Sequence, residues 1–441
     1  MTPLHQLNAA EAGRAIAAGR LTSEALVRAC LERIRLLDGE LQAWASLDAD
    51  LAIRTARERD RQPARSPLHG VPLGIKDVID TADFPTAYNS DIYRHHRPPA
   101  DAAIVARAHA AGLVVLGKTA TQEFATRGNM PPTRNPAAPG HTPGGSSSGS
   151  AAAVAAGMVP LALSTQTAGS VLRPASYCGV VGFKPSFGRL DTAGMKLTVP
   201  SFDTLGVHAR CVADAQIALA VLSDAAPAAA DGAATGILRI ALCRTPLWEE
   251  AGPATRQTLS QAAAMLAAAG HRVAEIELPP AFGALSAAHD AISDKEARAS
   301  LAQEWQHHRE GLSPDVQAKL ARGAALSADA YGQALRIVED CRRQADELLG
   351  LHDCLLTPSA PDVAPLLATG DPGSSSFNKF WTALGNPAIS LPVPREGPPV
   401  GIQLVGQRGV DRQLLRIARL IEALLSPATA IAHTNHNGDT A

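Results

Sequence analysis

The sequence lacks a charge imbalance. Its 441 residues carry 40 Lys and Arg against 42 Asp and Glu, a formal net charge of -2, so no global field draws the chain to nucleic acid or to an anionic membrane. It also lacks any charge-free apolar run of the roughly 18 residues needed to cross a bilayer. The segment Met1 to Arg20 carries Glu11 and has no continuous apolar core, which argues against a signal peptide. The six cysteines (Cys30, Cys178, Cys211, Cys243, Cys341, Cys354) are scattered and form no C-x-x-C pair. That argues against a disulfide framework or a zinc site and favours a reducing cytoplasm. No H-E-x-x-H occurs, and the pairs His95-His96 and His307-His308 have no ligand partners at metal spacing, so they read as surface residues. With 46% hydrophobic and 19% charged residues, the chain is ordinary for a globular enzyme and far from disorder.

Along the chain, the first 65 residues read as helical. Thr22 and Ser23 stand as N-caps, and Val27, Leu31 and Ile34 follow on one face. From about Leu68 the pattern becomes α/β. Val71 to Ile75 is a strand ending at Lys76. Asp101 is the expected cap of a helix over 102–111, closed by Gly112 and followed by the strand Leu113 to Leu116. A glycine-serine loop, Gly140 to Ser150, leads to a small-residue helix around 151–156 and an apolar segment, Val159 to Leu163. Ala225 to Gly236 reads as a connector. Beyond it come strands at 237–243 and 272–278 with a helix at 253–269 between them. The stretch 284–349 is mostly helical, strands follow at 388–393 and 400–405, and a helix at 411–425 precedes a tail, 426–441. Alternation of this kind predicts a layered α/β fold. Length alone predicts about three domains.

Gly112-Leu-Val-Val-Leu-Gly117-Lys118-Thr119 matches the phosphate-loop pattern letter for letter. Its four intervening positions are a strand, however, where a phosphate loop needs flexible residues after one. Gly144-Gly-Ser-Ser-Ser-Gly-Ser150 resembles a linker in composition, yet it runs into a helix and a buried strand. Glycines allow close approach and serines supply hydroxyls for a polar network. Thr165-Gln-Thr-Ala-Gly-Ser170 has the same character, Ser170 lying 24 positions after Ser146. The two loops read as walls of one site. Lys76 is either a snorkelling strand-end residue or, if buried against those loops, a lysine of lowered pKa able to act as a base.

These residues closely resemble the amidase signature family. Its core runs here from Gly140 through GGSSSGSAAAVAAGMVPLALSTQTAGSVLRPASYCGVVGFKPSFGRL to Leu190. GVPLGIKD at Gly70 to Asp77, PSFDTLGVHAR at Pro200 to Arg210, GNPAISLPV at Gly385 to Val393 and PVGIQLVG at Pro399 to Gly406 also match. The resemblance spans nearly the whole chain. It implies one large α/β domain, 1–441, with a mixed central sheet covered by helices, in place of the several domains length suggests. Within it, 66–224 is the catalytic core and 237–425 a second half with a variable helical region. Lys76 matches the family's catalytic lysine. Ser146 matches the bridging serine, usually preceded by a cis peptide bond, and Ser170 matches the nucleophile. A neutral Lys76 would take the proton of Ser146, which takes that of Ser170. Backbone N–H groups of Thr167, Ala168, Gly169 and Ser170 would hold the oxyanion. No metal or organic cofactor is expected.

Two departures stand out. The family's usual aspartate is Gln166 here, and the usual arginine two after the nucleophile is Leu172; losing both together implies a neutral replacement for a charge pair, since losing one strands a buried charge. Ser148 replaces a usual glycine. Arg173, three after the nucleophile, resembles the malonamidase-type branch, in which an arginine there holds a substrate carboxylate; hydrogen bonding to loop carbonyls is the alternative. The expected activity is hydrolysis of a small linear carboxamide, with carboxylate-bearing, malonamate-like substrates as the sharper expectation. The competing expectation is a glutaminase subunit of a tRNA-dependent amidotransferase working with partner subunits, against which stands Arg173-Pro174 where such subunits usually read R-Q-P. Expected partners are a small-molecule amide, no nucleic acid and no membrane, with a homodimer as one assembly.

Overall fold

The structure, a computed structural model, describes residues 2–223 and 233–425. The expected tail 426–441, and residues 225–232 of the expected connector, lie outside the described residues. Eleven strands form one sheet. They are β1 (Trp44–Leu47), β2 (Pro72–Lys76), β3 (Val114–Thr119), β4 (Leu161–Gln166), β5 (Val181–Lys184), β6 (Thr204–Ala209), β7 (Arg239–Cys243), β8 (Arg272–Ile276), β9 (Cys354–Pro358), β10 (Ala388–Pro392) and β11 (Gly401–Val405). Their spatial order is β1-β3-β2-β4-β6-β5-β10-β11-β9-β7-β8. Because the sheet runs unbroken through both halves of the chain, they share one domain, and the several domains suggested by length do not occur.

The sheet is mixed. β2 lies parallel to both β3 and β4, and β7 to both β8 and β9, while the strands between β4 and β9 pair antiparallel. Strands with helices on both faces bury every residue, so they read as continuous apolar runs; β2, β3, β4, β9 and β11 are buried throughout. β8, at one edge, is mostly exposed and carries Arg272 and Glu275, charges that discourage further pairing there. The opposite edge is β1, which corrects the expectation that residues 1–65 are all helical. A four-residue strand between two helices is too short to leave a period-2 signature.

The parallel trio β3-β2-β4 places three strand ends side by side: Lys76 stands opposite Thr119, and β4 ends at Gln166. Crevices at the carboxyl ends of parallel strands are where α/β sheets build sites. The phosphate-loop pattern dissolves into this trio. Gly117, Lys118 and Thr119 are buried β3 residues, and Lys118 pairs with Asp77 at 3.2 Å. The expected cap Asp101 also fails; the helix Ala103–Ala110 has Ala102 at its N-cap without a side-chain bond, and Asp101 instead accepts from the Ala82 N–H at 2.8 Å.

The helix Ser148–Ala155 shows why its sequence is so small. A Cβ on Gly149 would lie 2.1 Å from the Ala43 carbonyl oxygen and 2.3 Å from the Ala120 nitrogen. Ala151, Ala152 and Ala153 are fully buried behind it. The helix start is thereby pressed onto the ends of the parallel strands, and the glycine-serine loop with it. Among the described residues no helix is long and apolar enough to cross a membrane.

Candidate active site

Lys76 emerges from β2 with no solvent contact. Its Nζ lies 2.7 Å from Ser146 Oγ, 2.8 Å from Thr165 Oγ1 and 3.4 Å from the Thr165 carbonyl oxygen. This decides between the two expectations for Lys76: it is buried against the serine loops. Burial pushes its pKa well below the ordinary value of 10.5, opposed in part by the negative charge of Asp203. Asp203 is itself buried, accepting from the Thr198 N–H at 2.7 Å, the Val199 N–H at 2.9 Å and the Thr167 hydroxyl.

Ser146 follows a cis peptide bond from Gly145. Its carbonyl accepts from the Gln122 N–H at 3.0 Å and from the Thr121 hydroxyl at 3.2 Å. Ser148 helps close the loop by donating to the Gly144 carbonyl at 2.6 Å. Ser170 sits in the turn before the helix Leu172–Cys178 and lines a cleft of about 410 Å³ with Thr167, Ala168 and Gly169. That is near the small end of ligand-sized cavities. Ser170 Oγ makes no hydrogen bond among the described residues; contacts of this kind often close only around substrate.

Remote side chains hold the loop that carries Ser170. The Thr167 carbonyl lies 3.0 Å from His289 Nε2, and the Ala168 carbonyl accepts from the Thr382 hydroxyl at 2.7 Å. The Gly169 carbonyl accepts from the Arg173 N–H at 2.9 Å. With these oxygens committed outward, the N–H groups of Ala168, Gly169 and Ser170 have no acceptor among the described residues. Gly169 has to be glycine, because a Cβ there would meet Asn378 Oδ1 at 2.6 Å.

The neutral replacement inferred for the lost charge pair is visible. Gln166 Oε1 accepts from the N–H groups of Val171 at 2.8 Å and Leu172 at 3.0 Å, and its Nε2 donates to Thr382 Oγ1 at 2.9 Å. Leu172 is buried in an apolar cluster with Val199 and Phe202. Arg173 reaches the cleft wall, where its Nε and Nη2 donate to the Gly145 carbonyl at 3.2 and 2.5 Å and its Nη1 to the Gly373 carbonyl. These are the loop-carbonyl bonds of the alternative expectation. Burial lowers its pKa to about 10.

Sequence reasoning did not find Thr165, His289 or Thr382. The helical stretch 284–349 shows no motif, yet His289, Asp290, Ser293, Asp294, Lys319 and Arg322 from it form one side of the cleft. No cluster of three or more His, Cys, Asp or Glu able to hold a metal occurs among the described residues.

The mixed sheet, with a buried lysine against a glycine-serine loop, is that of a family of carbon–nitrogen hydrolases. The chain belongs to the Amidase family, whose model matches residues 25–415. It is 34% identical to the A subunit of glutamyl-tRNA(Gln) amidotransferase from Chloroflexus aggregans, over 95% of this chain and 96% of that one. Among solved structures it resembles the native peptide amidase of Stenotrophomonas maltophilia, with a TM-score of 0.81 and 31% identity over 96% of this chain and 98% of that one. It also resembles a chain from a vestigial protein complex that bears on the origin of an s-triazine catabolic enzyme, with a TM-score of 0.86 and 29% identity over 96% and 98%.

Proposed function

We propose that the protein hydrolyses a small linear carboxamide to a carboxylate and ammonia or an amine, through an acyl-enzyme on Ser170. The observation that carries this reading is the 2.7 Å contact between the buried Lys76 amine and Ser146, beside a loop in which the N–H groups of Ala168, Gly169 and Ser170 have no acceptor among the described residues. Burial favours the neutral amine, which can accept a proton. In the proposed sequence Lys76 takes the Ser146 proton while Ser146 takes that of Ser170, and Ser170 Oγ adds to the amide carbon. The developing oxyanion is met by N–H groups of the segment Thr167 to Ser170, of which those of Ala168, Gly169 and Ser170 have no other acceptor among the described residues. The proton returns through Ser146 to the departing nitrogen as the C–N bond breaks. Water then adds to the acyl carbon by the same route and frees Ser170.

The proposed substrates are carboxylate-bearing, malonamate-like amides, supported by an excess of cationic side chains in the cleft lining. We place the enzyme in the cytoplasm, consistent with six free cysteines. A second reading, a glutaminase subunit feeding a partner, is favoured by the similarity to amidotransferase A subunits. Ammonia release from a panel of aliphatic, aryl and carboxylate-bearing amides, including L-glutamine, tests both. Ser170→Ala should abolish release with the melting temperature nearly unchanged; turnover retained in that variant refutes the nucleophile. Native mass separates a homodimer from a complex with partner subunits, and glutaminase activity that depends on a co-purifying protein would select the second reading.

A further inference from the structure

The charges around the cleft do not balance. Its lining includes five cationic side chains, Arg127, Arg173, Lys319, Arg322 and Lys379, and two carboxylates, Asp290 and Asp294. Both carboxylates are already engaged. Asp290 takes Lys379 at 2.9 Å, and Asp294 takes Lys319 at 2.9 Å and Arg322 at 2.6 Å. Arg173 is occupied by two backbone carbonyls. Arg127 alone among the five makes neither an ion pair nor a hydrogen bond among the described residues.

The backbone that follows it, by contrast, is pinned. Glu123 accepts from the N–H groups of Asn129 at 3.1 Å and Ser313 at 3.2 Å, and the Gln122 amide donates to the Gly128 carbonyl at 3.1 Å. A Cβ on Gly128 would lie 2.6 Å from Glu123 Oε2, so the turn closes on glycine. This is the same connection that delivers Ser146, so Arg127 is held at the cleft with the proposed machinery. Two guanidinium groups, those of Arg127 and Arg173, thus share a wall with no carboxylate bonded to either.

Resting on the acyl-enzyme reading, we infer that Arg127 is the specificity-determining residue, pairing with a carboxylate on the acyl portion of the substrate, while Arg173 positions the Gly145 and Gly373 loops. A planar guanidinium with all its donors free presents a fork matched to a carboxylate. Arg127 is exposed at the cleft, so solvent screens part of that pairing and a substrate must bring its carboxylate to the rim.

The test compares ammonia release by the full-length wild type, Arg127→Ala and Arg127→Lys on malonamate, succinamate and L-glutamine, and on neutral amides of equal length. The wild type should prefer the carboxylate-bearing amides. Arg127→Ala should lower kcat/KM for them by about 3- to 5-fold, mainly through KM, as expected for one solvent-exposed charged pair. Neutral amides should be unaffected, and Arg127→Lys should recover part of the loss. Equal losses on both classes, or no loss on either, overturn the assignment to Arg127. A wild type that treats both classes alike overturns the anionic substrate while leaving the Ser170 reading intact. Failure to release ammonia from any amide sinks that reading and this inference with it.

Discussion

Substituting Gln166 by glutamate changes one donor into an acceptor at a place where the structure has no spare proton. In the native arrangement Gln166 Nε2 donates to Thr382 Oγ1 at 2.9 Å, which leaves the single hydroxyl proton of Thr382 for the Ala168 carbonyl at 2.7 Å, the shorter of its two contacts, over the Asn378 carbonyl at 3.1 Å. In the Gln166→Glu variant an ionised carboxylate keeps the two bonds from Val171 and Leu172 but competes for that proton. Among the described residues no cationic side chain bonds to this position, and neighbouring Leu172 is buried and apolar. An uncompensated buried charge costs about 3 to 5 kcal/mol. The two N–H groups at the start of the helix offset part of this, so about 3 kcal/mol is the expected destabilisation once the introduced carboxyl ionises. That energy equals about two pKa units, raising the new group from about 4.3 to about 6.5. Between those values the folded state binds more protons than the unfolded one, so stability falls as pH rises through the window. Urea unfolding should therefore give near-native stability at pH 4.5 and the full deficit at pH 8. At pH 8 the Ala168 carbonyl loses its partner and the Gly169 N–H its aim, so kcat should fall about 10²- to 10³-fold, the value of one oxyanion donor. Equal stability at both pH values, or unchanged kcat at pH 8, would refute the relay from Gln166 through Thr382 to the Ala168–Gly169 peptide.

Other outcomes follow from the same geometry. Because only neutral Lys76 can accept a proton, log kcat/KM should rise with pH by about one unit per pH unit up to a pKa below 10.5, and the limb should vanish in Lys76→Met. The folded pKa of Lys76 lies below the unfolded one, so the unfolded chain binds the extra proton between them. The burial penalty is absent above the unfolded pKa and is felt in full below the folded one, so Lys76→Met should be at least as stable as wild type at acidic pH, as measured by urea unfolding. Ser146→Ala should be slow but less impaired than Ser170→Ala, because it breaks the relay and spares the attacking atom; equal single-turnover rates in the two variants would contradict the order. Arg173→Ala strands the Gly145 and Gly373 carbonyls and should cost about 2 kcal/mol or more, with similar kcat/KM losses on charged and neutral amides. A loss confined to carboxylate substrates would return the clamp to Arg173. Lys118→Met leaves Asp77 buried without its partner and should destabilise by about 3 to 5 kcal/mol, while the wild type should show no ATP binding by calorimetry.

The strands at 71–76, 113–116, 237–243, 272–278, 388–393 and 400–405, the small-residue helix after the serine loop, and Lys76 at a strand end were legible in the sequence, whereas β5, β6 and β9 were not read from it. The legible features rest on interactions between residues close in the chain, whose spacing shows as periodicity, or on steric exclusion that permits only Gly, Ser or Ala. The short edge strand β1 was not legible, since four residues carry too little pattern to outweigh their helical neighbours. Nor was the role of Gln166, whose departure from the usual aspartate was visible but whose partner Thr382 lies 216 residues away. His289 on the Thr167 carbonyl and Gly373 on Arg173 are separated by 122 and 200 residues. Nothing local marks such partners, because they are brought together by the order of strands in the sheet and by the helices packed against it. For the same reason the sequence could leave Lys76 and Arg173 each with two expectations. Whether a lysine is exposed or buried, and whether an arginine's donors are free or taken, depends on which distant backbone arrives beside it, and only the tertiary structure decides that.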